Sequence, residues 1–110
     1  MNLRFTGRHV GVPAEDREYA EGKLRALSRY HRRLDDMEVF VERDGSILER
    51  VEIVARSGRL RAVAVGQDHG FRPAFDRAVD ALRRQLQKNK EKVVSRRRRA
   101  GSPARGGRGR

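Results

Sequence analysis

Apolar residues return at every third or fourth position from Phe75 to Leu86, within the stretch FRPAFDRAVDALRRQLQKNKEK at 71–92. Phe75, Val79, Leu82 and Leu86 stand at i, i+4, i+7 and i+11, one stripe of a 3.6-residue period. Such a stripe must be buried against another element, so the rest of the chain has to supply a surface for it. Arg77, Arg84 and Lys88 repeat on another side, with Arg83 and Lys90 beside them. The stretch reads as a helix that buries one side and keeps a cationic side in water.

Period-two segments supply the surface. Leu3 and Phe5 alternate with Asn2, Arg4 and Thr6, which predicts a short strand over 2–6. Met37, Val39 and Val41 alternate with Glu38, Phe40 and Glu42, and Asp44-Gly45 then gives a hairpin signal. Val51, Ile53 and Ala55 alternate with Arg50, Glu52, Val54 and Arg56, and Ser57-Gly58 marks the next turn. Leu60, Ala62 and Ala64 alternate with Arg61, Val63 and Val65, and Gly66 is expected to end that strand. Ahead of the second strand, Pro13 suits the first turn of a helix over about 13–31. Ala20, Leu24, Leu27 and His31 or Leu34 form its stripe, with Tyr19, Ala26 and Tyr30 widening it. The order is β-α-β-β-β-α. If each connection reverses direction, the chain is an α+β domain: a four-stranded mixed sheet with two parallel helices packed on its one apolar face.

The charge is uneven. Residues 1–69 hold thirteen Lys/Arg and twelve Asp/Glu, residues 70–92 seven and three, and residues 93–110 seven Arg and no acid. With a net charge of +12 gathered towards one end, a polyanion is the natural partner, nucleic acid first. Membrane surface fits less well, because the basic helix has no Trp and needs its apolar stripe for the core. Parallel helices would set Lys23, Arg25, Arg29, Arg32 and Arg33 beside Arg83, Arg84, Lys88, Lys90 and Lys92, a patch suited to phosphate. From Val93 on, SRRRRAGSPARGGRGR has nothing to bury, so a folded domain over 1–95 and a disordered Arg/Gly-rich tail over 96–110 are expected.

Other classes find little support. There are no cysteines, hence no disulfide or cysteine-based zinc site. HExxH, GxSxG, Walker and GxGxxG patterns are absent. Asp35-Asp36 reads as a turn, and Asp76 and Asp80 as acids favoured early in a helix. No enzyme activity, metal, cofactor or small-molecule substrate is expected. The N-terminus lacks an apolar signal core and no run is long enough to span a membrane, so a cytoplasmic location is expected. With aromatics at 5% of residues, reading of bases by an aromatic sheet face is not expected.

The opening LRFTGRHV, the segment VPAEDREYAEGKLRALSRYHRRLDDMEVFVE, GQD at 66–68 and DRAVDALRRQLQKNKEK at 76–92 occur together in this order. With them the chain resembles the short ribosome hibernation-promoting factors, also described as ribosome-associated inhibitors or sigma-54 modulation proteins, over about residues 1–92. Between GQD and DRAVD it is two residues longer than the family's common form, through HGFRPAF. The Arg/Gly tail matches no family element. The second domain of the family's long forms is not expected here.

The resemblance implies binding to the small ribosomal subunit and its rRNA, in the channel of mRNA and the A- and P-site tRNAs. Occupying it would inhibit translation sterically under stress or in stationary phase. A monomer off the ribosome is expected, and the resemblance carries the basic helical face onto Lys23, Arg84, Lys88, Lys90 and Lys92. Arg29, Arg33 and Arg83 join that set from charge geometry. A double-stranded RNA binder would share the layout and the basic face. A protein-binding transcription regulator would need an exposed apolar patch, which the sequence does not display.

Overall fold

The computed structural model describes residues 2–8, 10–30, 34–44 and 48–101, with the backbone alone for 44 and 89–101. The elements are β1 (Asn2–Arg8), α1 (Ala14–Tyr30), β2 (Asp36–Asp44), β3 (Leu48–Ser57), β4 (Leu60–Asp68) and α2 (Phe71–Gly101). The sheet has the order β1-β2-β3-β4. β1 pairs parallel with β2, while β2–β3 and β3–β4 are antiparallel. The mixed sheet follows from the connections: α1 carries the chain back to start β2 beside β1, and short turns join the rest.

Met37, Val39 and Val41 of β2, Val51, Ile53 and Ala55 of β3, and Ala62 and Ala64 of β4 are buried on one face. Ala20, Leu24 and Leu27 of α1 and Phe75, Val79 and Leu82 of α2 are buried in the same core. Both stripes expected from the periodicity therefore face the sheet, and Leu86 packs partly buried at the rim. Leu82 is fully buried, so Leu82→Ala is expected to cost about 2–5 kcal/mol. Urea titration checks this, and a shift near zero would mean the helix rests on another side.

Several boundaries differ from the sequence reading. Ala26 and Tyr30 do not widen the stripe of α1: both are exposed, Tyr30 at 69%. β4 runs past Gly66 to Asp68, because the glycine serves a close contact with α2 rather than a turn. The segment HGFRPAF forms the turn into α2 and its first residues. Phe71 is buried there and stacks on Phe75 at 5.5 Å, so the helix begins with a core side chain. α2 continues past Lys92 to Gly101. No glycine or proline interrupts 93–100, and Arg and Ala are good helix formers. Residues 102–110 of the expected tail lie outside the described residues, as do residues 45–47 of the first hairpin.

The other sheet face is open, and most of its charges answer one another. Arg50 lies 3.3 Å from Glu52 and 4.0 Å from Glu42. Arg56 lies 3.4 Å from Asp36 and 3.8 Å from Glu38. Arg8 sits over the Phe40 ring at 5.8 Å. A face neutralised in this way has little to offer a polyanion. At the sheet edge, Gln85 of α2 donates to the Val63 carbonyl, covering a strand edge that could otherwise pair with another chain.

Candidate nucleic-acid interface

The contacts between the helices fix their relative direction. Arg72 Nε donates to Asp16 at 3.0 Å, the Tyr19 hydroxyl donates to Asp76 at 2.8 Å, and Lys23 Nζ donates to Asp76 at 2.9 Å. The Tyr19 ring meets Phe75 edge-on at 6.2 Å. Partners advance together along both chains, so the helices run parallel, offset by 53 to 57 residues. Carried on, the same offset sets Arg29 level with Arg83 and Arg84.

The expected site residues divide into three groups. Arg29, in the last turn of α1, and Arg84 and Lys88 on α2 are exposed, as is Arg25. Among the described residues, no carboxylate lies within 4.0 Å of these four. Arg83 is exposed and lies 3.8 Å from Asp80, one turn earlier, a weak and solvated pair. Lys23 is different. It is tied to Asp76 with its side chain 40% exposed, and it lies 5.2 Å over the Tyr19 ring. Arg33, and the side chains of Lys90 and Lys92, lie outside the described residues. On α1 the acids stand in the first half and Lys23, Arg25 and Arg29 in the second, whereas α2 has Arg72 and no acid in its first turn and carries Glu91 between Lys90 and Lys92.

The hydrogen bond to the Asp76 carboxylate, helped by Tyr19, holds the Lys23 amine above the usual lysine range. The fold thus favours charged Lys23. The pair's stabilisation is complete below the ordinary lysine value and is lost as pH rises through the raised one. Because both side chains are partly in water, the effect stays under about 1 kcal/mol. Lys23→Gln is expected to lower thermal stability slightly at neutral pH and to flatten its decline at alkaline pH. Melting curves across that range check this, and a variant that declines as steeply as the wild type would contradict it.

Two features were not legible as a site. Gly66 lies under α2 so closely that an added Cβ would meet the Ala74 carbonyl, the Ala78 nitrogen and the Arg77 Cβ. Asp68 accepts from Arg77 Nε at 2.7 Å and from the His69 N–H at 2.6 Å, which keeps its carboxyl below the usual carboxylate range. GQD is therefore a seat for the start of α2, and a glycine inside a strand pattern is the signal that could have revealed it. The carboxylate pairs weighed for catalysis have structural partners: Asp35 accepts the Gly58 N–H at 2.7 Å, Asp36 meets Arg56, and Asp76 holds the interhelical contact. Among the described residues, no group of three or more His, Cys, Asp or Glu could hold a metal ion, and no helix is long and apolar enough to cross a membrane.

The molecule is thus a small α+β platform whose two parallel helices expose Arg25, Arg29, Arg83, Arg84 and Lys88. A profile of the family described as Sigma 54 modulation protein / S30EA ribosomal protein matches residues 3–94, and the chain belongs to that family. It is 30% identical over 99 residues to the ribosome hibernation promoting factor of Escherichia coli K12, covering 84% of this chain and 97% of that protein. Among solved structures, a ribosomal subunit interface protein from Coxiella burnetii shares the fold with a TM-score of 0.78 at 19% identity, covering 83% of this chain and 99% of that one. The N-terminal domain of Thermus thermophilus Protein Y gives a TM-score of 0.70 at 29% identity, covering 80% and 98%.

Proposed function

We propose that this protein is a cytoplasmic ribosome hibernation factor. It binds the small ribosomal subunit where mRNA and the A- and P-site tRNAs pass, and it stops translation by filling that channel. The observation that carries this reading is the set of exposed bases on the later parts of two helices that run parallel. Arg29, Arg84 and Lys88 stand there without carboxylate partners among the described residues, on a rigid sheet whose other face is charge-neutralised. Arg forks and Lys point charges suit phosphate oxygens, which position a protein on RNA by shape rather than by sequence. The names of the relatives support the ribosome as the bearer of that RNA.

In this reading Lys23, Arg29, Arg33, Arg83, Arg84, Lys88, Lys90 and Lys92 contact rRNA. Lys23 does so from the edge of the patch, sharing its amine with Asp76. Residues 1–95 dock, and the Arg/Gly-rich segment 96–110 adds a weaker, salt-sensitive attraction. No covalent step is needed, because steric occupation held by many phosphate contacts is enough. In-vitro translation tests the reading: purified protein is expected to inhibit it, and small subunits already holding mRNA and tRNA are expected to resist. If plain duplex RNA relieves the inhibition as well as added small subunits do, the protein is a general duplex binder.

A further inference from the structure

Of the six aromatic residues, Phe71 and Phe75 are buried, and Phe5, Phe40 and Tyr19 are partly buried. Tyr30 alone is exposed, at 69%. One exposed aromatic means little by itself. Its place gives it meaning. Tyr30 closes α1 directly after Arg29, and the offset between the parallel helices sets it level with the later bases of α2. The positions one and two turns earlier are Ala26 and Gly22, both exposed. A side chain added at Gly22 would meet nothing within 4 Å. The helix surface leading to the ring is therefore low and open, and Arg25 and Arg29 border it.

An aromatic ring among phosphate-binding groups has one natural use on RNA. In a duplex the faces of the bases are already covered by their neighbours, so a ring can stack only on a base that is unpaired or turned out. We infer that Tyr30 stacks on an unpaired nucleobase at the border of the phosphate patch, so the surface recognises a junction between paired and unpaired RNA. This rests on the ribosomal reading above and adds to it a contact that charge does not supply.

Salt dependence separates stacking from charge. A lost phosphate contact lowers the slope of log affinity against log salt, whereas a lost stacking contact shifts the line without tilting it. Binding of the full chain to isolated small subunits is measured across salt for wild type, Tyr30→Ala and Tyr30→Phe. Tyr30→Ala is expected to bind about 5- to 150-fold more weakly at every salt concentration, with an unchanged slope. Tyr30→Phe is expected to match the wild type. Equal binding by Tyr30→Ala, or a loss in Tyr30→Phe as large as in Tyr30→Ala, overturns the inference and leaves the ribosomal reading standing. No binding by the wild type removes that reading instead, and this inference with it. The chain has no tryptophan, so Tyr30→Trp adds a single reporter. A short oligoadenylate is expected to quench its emission and a short RNA duplex to leave it unchanged. Quenching by the duplex alone, or by neither RNA, contradicts stacking on an unpaired base.

Discussion

Gly66→Ala is expected to cost roughly 3 kcal/mol or more, or to prevent folding altogether. The added methyl would meet the carbonyl of Ala74 and the nitrogen of Ala78. Both are backbone atoms inside α2, so no rotamer change relieves the clash. The helix would have to lift from β4, loosening Phe75, Val79 and Leu82, which are buried beside it. Overpacking of an ordinary core costs about 1–3 kcal/mol, and contact with a helix backbone belongs at the upper end. Gly22→Ala is the matched control. Gly22 lies exposed in α1 with open space around it, so alanine there is expected to stabilise by about 0.5–1 kcal/mol. Denaturant midpoints at constant slope measure both changes, and the opposite signs are the expected result.

Arg84→Glu combined with Lys88→Glu is expected to weaken binding to the small subunit more than about 100-fold. Two charge-assisted contacts of about 1.5 kcal/mol each account for that much before the repulsion from two new carboxylates is counted. Both residues are exposed on α2, so circular dichroism and thermal stability are expected to stay at wild-type values. Removing residues 96–110 is expected to have the smaller effect, largest at low salt, since exposed charges are screened over about 8–10 Å at physiological ionic strength. A double variant that inhibits translation as well as the wild type would reduce the helical face to a solvated surface.

The periodicities made most of the fold legible. Alternation placed Val39, Ile53 and Ala64 on the inner face, and a 3.6-residue stripe placed Leu24 and Leu82 against them, because one buried side leaves a regular trace in sequence. Tyr30 broke the pattern. By spacing it flanks the stripe of Ala20, Leu24 and Leu27, yet in the last turn of α1 it is 69% exposed, and periodicity carries no record of where a partner surface stops. Lys23 likewise counted as one more base of the patch, and only the structure shows its amine on Asp76, 53 residues away. The cluster of Tyr19, Lys23, Arg72 and Asp76 depends on the register between two helices, which neither sequence states alone. GQD stood out as a motif, yet its physical content, a helix backbone resting on Gly66, needed the packing.

Sucrose-gradient sedimentation of the purified chain with separated small and large ribosomal subunits tests the central claim most directly. The protein is expected to travel with the small subunit, to be absent from the large-subunit fractions, and to be displaced when mRNA and tRNA occupy the small subunit. Equal recovery with both subunits, or undiminished binding to small subunits already filled with mRNA and tRNA, would contradict docking of the cationic helical end in that channel.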